Sequence, residues 1–371
     1  MTPRGACPSL AAPMPTGDGL LLRAPAGDWS PAVVRTIAKV AAGHGNGVVE
    51  VSARGNLQLR GFRAETVAEA AAMLAAVGLV DAPPVMRGPL AGQDPAEIAG
   101  PRAIVAQIAA RWPEGLAPKT SVVVDGGGLL PLDAVGADLR LVAISGDAWL
   151  LGLGGRGRPR WQECVPTQDA ADAILGWLAR LGPRRAREVE AEAPLEPPAP
   201  RPAAEPLGWH AAAGALGLAG AFGALEAEDL AALAEALPAG ALLRPAPGRA
   251  WLVLGLADEE AVALRDRAAG IGLVTDPADP RRRIVACPGR PSCASAEAET
   301  RGLARELAAL PGLPGLVHLS GCAKGCAHPG PAPVTLVGRG GGFDLIRAGG
   351  PRDLAACRLA PGEVAAAIRN R

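Results

Sequence analysis

Shifting this sequence by 194 positions lays Gly61 on Gly255, Glu65 on Glu259 and Pro83 on Pro277. The same shift lays the run Gly78-Leu79-Val80 on Gly272-Leu273-Val274. Single Gly and Ala matches arise by chance in a chain this rich in both, but a matched Gly-Leu-Val run at a helix end is harder to dismiss. An internal duplication of that length restricts the 371 residues to two similar halves. The first copy reads strand–helix–strand–helix. A strand over 19–23 precedes a helix opened by Asp28-Trp29-Ser30-Pro31, with a capping residue and a proline suited to the first turn. Val33, Val34, Ile37, Val40 and Ala41 form its apolar stripe, and Gly43 and Gly45 end it. A strand is expected over 47–61, then a helix over 64–77 stopped by Gly78. After a Pro- and charge-rich linker over 183–207 the pattern returns: a helix over 226–237, a strand region over 242–255 and a helix over 258–271.

Each repeat suits half of a ferredoxin-like fold. Within the first, 47–61 alternates with period two, as a half-buried strand does. Val49, Val51, Ala53, Leu57 and Leu59 take one side. Glu50, Ser52, Arg54, Asn56, Gln58 and Arg60 take the other. A plain solvated face is one reading of the polar side. Yet Arg, Asn, Gln and Arg offer many donors and few acceptors, which suits a carboxylate or phosphate ligand. At the matched positions the second copy carries Gly248, Ala250, Leu252 and Leu254, so a polar face has become apolar.

Bulk properties exclude several classes. Lys plus Arg and Asp plus Glu both number 37, the pI is near 6.9, and no general binding of nucleic acid is expected. No apolar run reaches the roughly 18 residues that span a bilayer. The N-terminus lacks the apolar core of a signal peptide, so a cytoplasmic location away from membranes is expected. Seven cysteines in a reducing compartment argue against disulfides.

Four of those cysteines form a pattern. CPGRPSC (287–293) and LSGCAKGCAHPG (319–330) place Cys287 and Cys293, then Cys322 and Cys326, in two pairs with spacings of five and three. Four thiolates suit zinc or an iron–sulfur cluster. Zinc knuckles more often use a spacing of two. The glycines and prolines here let backbone amides approach sulfur, which favours [4Fe–4S]. Cys7, Cys164 and Cys357 are isolated and read as structural.

The cysteine spacing together with Ser-Ala-Arg-Gly-Asn-Leu-Gln-Leu (52–59) resembles the sulfite and nitrite reductase superfamily, over nearly the whole chain. Within it, GACPSLAAPMPTGDGLLLR (5–23) and SGCAKGCAHPGPAPVTLVGRGGGFDLIRAGG (320–350) resemble the precorrin-3B synthases of aerobic cobalamin biosynthesis. The resemblance implies an α+β fold: two ferredoxin-like halves (1–80 and 208–280), a tetrapyrrole-binding α/β domain (81–182) and a cluster domain (281–371) around the linker. It also implies cluster ligation by Cys287, Cys293, Cys322 and Cys326. Arg54, Asn56 and Gln58 would then hold acidic side chains of a tetrapyrrole, with Arg60 added on geometry. Lys119, Arg87 and Lys324 are further carboxylate partners by the same reading, with Lys119, Arg87 and His328 as the candidate catalytic residues.

Departures from the reductases carry weight. Of the lysine pair that holds a small anion, Lys119 remains but Ser121 stands at the second position. An Arg-Asn step falls on Pro83-Pro84, and Arg87 is out of register. Half the anion-reducing cations are missing, and six-electron reduction needs them. The expected activity is therefore a monooxygenase that converts precorrin-3A and O2 to precorrin-3B. Its reducing equivalents would come from an NAD(P)H-dependent partner reductase. A mononuclear non-haem iron is a further expected cofactor, and permanent sirohaem is less expected. Such an iron wants two His and a carboxylate. His44, His210, His318 and His328 include no i,i+4 pair, and His328, two residues past Cys326, is the best placed. A small sirohaem reductase and a non-catalytic electron-transfer or tetrapyrrole-carrier protein are the alternatives.

Overall fold

The computed structural model describes residues 7–154, 159–192, 195–196, 198–199, 201, 204–313, 315–328 and 330–369. Chain order runs through four blocks. The first holds β1 (Met14–Thr16), β2 (Gly19–Ala24), α1 (Pro31–His44), β3 (Val48–Val51), β4 (Leu57–Phe62) and α2 (Val67–Ala76). Then come β5 (Val85–Arg87), α3 (Arg102–Ala110), β6 (Val122–Asp125), β7 (Leu139–Ala143), β8 (Ala148–Leu153), β9 (Arg160–Pro166) and α4 (Ala170–Leu181). The third holds β10 (Gly208–His210), β11 (Ala215–Ala219), β12 (Ala224–Glu226), α5 (Ala227–Ala236), β13 (Leu242–Ala246), β14 (Ala250–Leu254) and α6 (Asp258–Ile271). The last holds β15 (Ile284–Ala286), α7 (Arg301–Ala308), β16 (Val317–Ser320), β17 (Ala332–Arg339), β18 (Gly342–Gly349), β19 (Cys357–Leu359) and α8 (Val364–Arg369).

The strand expected over 47–61 is a hairpin. Fifteen extended residues would run about 50 Å, longer than a small domain is wide. The chain instead reverses at Ser52–Asn56, where the Ser52 N–H donates to the Asn56 carbonyl at 2.9 Å and the Asn56 N–H to the Ser52 hydroxyl at 3.0 Å. The alternation survives the reversal: Val49 faces Leu59 and Val51 faces Leu57, all buried. Only Ala53, at the exposed tip, leaves the apolar side. The 242–255 region folds back likewise. Its register is the first hairpin's register moved by 194, with Leu243 facing Val253 and Pro245 facing Trp251.

The duplication reaches further than the hairpins. The sheets β5-β6-β7-β8-β9 and β15-β16-β17-β18-β19 share one order and one pattern: two parallel pairings, then two antiparallel ones. The other two sheets run β1-β2-β4-β3-β12 and β10-β11-β14-β13. They interlock, since β12 of the second copy pairs with β3 of the first. A single core joins both copies, with Val34, Ile37 and Leu59 in the same buried cluster as Leu218, Leu230, Leu243 and Trp251. The apolar face of the second copy has its own cover. Ala250, Leu252 and Leu254 pack with Leu90 and Leu130. Burial against a neighbouring block explains why that face lost its polar residues.

Described residues of 183–207 are fastened to the β5–β9 block. Arg185 donates to Asp138 at 2.8 Å, and Arg201 bridges Asp125 at 2.6 Å and Asp133 at 2.8 Å. Among the described residues no helix is long and apolar enough to cross a membrane.

Candidate active site

Three expected residues meet in one cleft. Arg54 and Asn56 from the first hairpin tip and Arg87 from the end of β5 line it together with Arg23 and Arg244. No Asp or Glu is among the lining residues. Asp28 lies behind this wall and holds it in place. Its carboxylate accepts two bonds from Arg244, at 2.5 and 2.9 Å, and lies 3.5 Å from Arg87. Burial pushes Asp28 up, but the Arg244 hydrogen bond and the charges of Arg244, Arg87 and Arg102 outweigh it and leave the carboxyl below its usual range. Arg244 also donates to the Pro89 carbonyl at 2.6 Å. Arg54 donates to the Ser121 hydroxyl at 3.3 Å and to the Gly136 carbonyl. Burial lowers the affinity of Arg54 and Arg87 for their protons, yet a guanidinium stays charged at neutral pH. The Nε atoms of Arg23 and Arg87 are buried with no protein partner. A cleft with four guanidiniums and orphaned N–H groups is built for a polyanion.

Arg23 and Arg244 escaped the sequence reading. A signal existed for Arg244, because a lone arginine in Leu-Leu-Arg-Pro-Ala, among apolar strand residues, needs a buried partner. Arg23 lies opposite Gln58 across the β2–β4 pairing, so Gln58 joins the same polar row.

The other expected residues sit elsewhere. Arg60 turns from any ligand to Glu50, at 2.5 Å, and Arg301 of α7 holds the second carboxylate oxygen. Lys119 is exposed in the loop before β6 with φ 68, beside Trp112 and Leu116. Its neighbour Ser121 is the one that reaches Arg54. Pro83 and Pro84, the positions on which the Arg-Asn step of the reductases falls, line the arginine cleft with no side-chain donor. Lys324 donates to the Ser295 hydroxyl at 2.7 Å on the exposed side of the cysteine loop.

The four expected thiols share one neighbourhood. The β15 end carries Cys287, which is buried, and the β16 end leads into Cys322. These parallel strands are adjacent, so the loops that follow them meet. The Gly321 N–H donates to the Cys287 sulfur at 3.1 Å. A Cβ at Gly321 would lie 2.7 Å from the Ala296 Cβ, so only glycine allows this approach. Desolvation of its thiol raises the Cys326 pKa, and Cys322, Cys287 and Cys293 raise it further. Among the described residues no three His, Cys, Asp or Glu side chains converge as a single ion requires.

Two histidines that sequence spacing kept apart are in contact. His328 meets His318 edge to face, with centroids 5.6 Å apart, and its Nε2 lies 3.2 Å from the Pro331 carbonyl. His318 is wholly buried on β16, and neither ring nitrogen has a protein partner. Burial, then His328 and Arg249, lower its pKa to about 4, so it is neutral at physiological pH. Cys164 and Cys357 are exposed, and Cys7 lies close enough to Arg54 and Arg185 to influence both.

Comparison with known proteins agrees with this architecture. The family model of the nitrite/sulfite reductase ferredoxin-like half domain matches residues 13–77. The structure of the NirA protein of Mycobacterium tuberculosis superposes with a TM-score of 0.71 at 21% identity, covering 94% of this chain and 79% of that one. A precorrin-3B synthase from Sinorhizobium sp. is 43% identical over 385 aligned positions, covering 92% of this chain and 82% of the relative. The chain therefore belongs to the precorrin-3B synthase family.

Proposed function

We propose that this chain is an oxygen-dependent enzyme that hydroxylates precorrin-3A and closes a γ-lactone to give precorrin-3B. The observation that carries the substrate class is the cleft with four arginines and no lining carboxylate. A tetrapyrrole rich in acetate and propionate groups matches that charge. Arg23, Arg54 and Arg87 bind and orient those groups, with Asn56 and Gln58 donating from the same hairpin, while Arg244, buried and bonded to Asp28 and the Pro89 carbonyl, adds its charge from behind the wall. Arg87 is the expected catalytic cation that faces the cleft, which supports a substrate-positioning role for it.

Cys287, Cys293, Cys322 and Cys326 would hold a [4Fe–4S] cluster, which when bound would supply electrons one at a time. One atom of O2 enters the macrocycle and the other leaves as water. Two electrons come from an NAD(P)H-dependent reductase in the cytoplasm. Sulfite or nitrite reduction is disfavoured, because Pro83, Pro84 and Ser121 occupy positions that would have to supply cations and protons.

The test is an anaerobic absorption spectrum of purified protein, with iron and acid-labile sulfide assayed on the same sample. A broad iron–sulfur shoulder without a Soret band supports an empty cleft that awaits its substrate. Stoichiometric sirohaem bands would make the tetrapyrrole a cofactor and favour the reductase reading.

A further inference from the structure

Arg249 is held in place at an unusual cost. It sits at the tip of the β13–β14 hairpin with φ 63, the left-handed region. A residue with a Cβ is strained there. Its side chain is largely buried, and burial lowers its affinity for its proton. Its stem passes so close to Gly223 that a Cβ there would lie 2.4 Å from the Arg249 Cδ. From this position Nη2 donates to the Ala327 carbonyl at 2.8 Å. Ala327 directly follows Cys326, and Cys287 also feels the Arg249 charge. A neutral donor could make the same hydrogen bond without burying a cation, so the charge needs its own explanation. Glu50 is the carboxylate whose charge acts most on Arg249, but it is shared with Arg60 and Arg301, so it offsets the cation only in part. The hairpin tips play matching parts. Arg54 reaches from the first into the β5–β9 block at Ser121 and Gly136, and Arg249 reaches from the second into the cysteine loop.

We propose that Arg249 is a positioning residue whose buried positive charge raises the reduction potential of an iron–sulfur cluster held by Cys287, Cys293, Cys322 and Cys326. The inference rests on the cluster reading above. A reduced cluster carries one more negative charge than an oxidised one, so a fixed nearby cation favours reduction.

Arg249→Gln keeps a donor and loses the charge, whereas Arg249→Lys keeps the charge and changes the donor. After anaerobic reconstitution, iron, sulfide and the EPR signal report loading, and a redox titration reports the potential. The glutamine variant should load normally and show about a tenfold lower reduced-to-oxidised ratio at a fixed donor poise, which is 59 mV for one electron. The lysine variant should stay near the wild-type value. Equal shifts in both variants, or none in either, overturn the inference. So does loss of the cluster from the glutamine variant alone, which would make Arg249 a structural clamp. Wild-type protein that takes up no iron or sulfide overturns the cluster reading itself, and this inference with it.

Discussion

Replacing Glu50 with Gln removes the carboxylate that ties the first hairpin to the cysteine domain. Glu50 is 5% exposed, with Arg60 at 2.5 Å and Arg301, 251 residues away in sequence, on its other oxygen. The substitution preserves shape but leaves two half-buried guanidiniums without their anion. Removing one member of a buried ionic network costs about 3–5 kcal/mol. At about 1.4 kcal/mol per factor of ten, the lower figure is a roughly hundredfold loss in the folded-to-unfolded ratio. The sign of the pH dependence follows from the carboxyl. Burial pushes Glu50 up, but Arg301 and Arg60 together hold it below its ordinary value of 4.5. Its stabilisation is therefore complete above that value and is lost as pH falls through the lower folded value. Denaturant unfolding of wild-type protein and Glu50→Gln, matched for cofactor content, should show the gap at pH 7 and see it close at strongly acid pH. A gap below about 1 kcal/mol at pH 7 would refute the account of Glu50 as the hub of this network.

Other substitutions separate binding from cluster assembly. Arg54→Ala removes one charge-assisted contact, worth about 1.5–3 kcal/mol. It should weaken binding of a tetrapyrrole polycarboxylate ten- to a hundredfold in a fluorescence titration, with iron and sulfide content unchanged. Arg60→Ala, by contrast, should leave that affinity within about threefold, because Arg60 serves Glu50, and its effect should appear in stability measurements instead. Cys287→Ser should abolish iron and sulfide uptake while tetrapyrrole binding at the arginine cleft persists.

Much of the site was legible in the sequence, for physical reasons that differ from residue to residue. The cysteine spacing marks a site because four thiolates in glycine-rich loops have few uses other than metal. The alternation around Arg54 is visible because period two survives the hairpin reversal. The reversal itself was harder to see, because the period-two alternation runs on through the turn and masks Gly55-Asn56, whose glycine takes φ 78. Arg60 lies on the polar side as expected, but its partner is a carboxylate of the adjacent strand, and pairings across a hairpin depend on register. Arg244 and Asp28 lie 216 residues apart in sequence, and the contact of His318 with His328 depends on how the cysteine loop returns over β16. Such long-range contacts exist only once the two halves interlock.

The most direct test supplies reconstituted protein with precorrin-3A, an NAD(P)H-driven reductase and ¹⁸O2, and follows the tetrapyrrole by mass spectrometry. The account predicts a product that carries one ¹⁸O atom, formed only when O2 and reductant are both present. Turnover that incorporates no oxygen from O2, or reduction of sulfite or nitrite in its place, would contradict it.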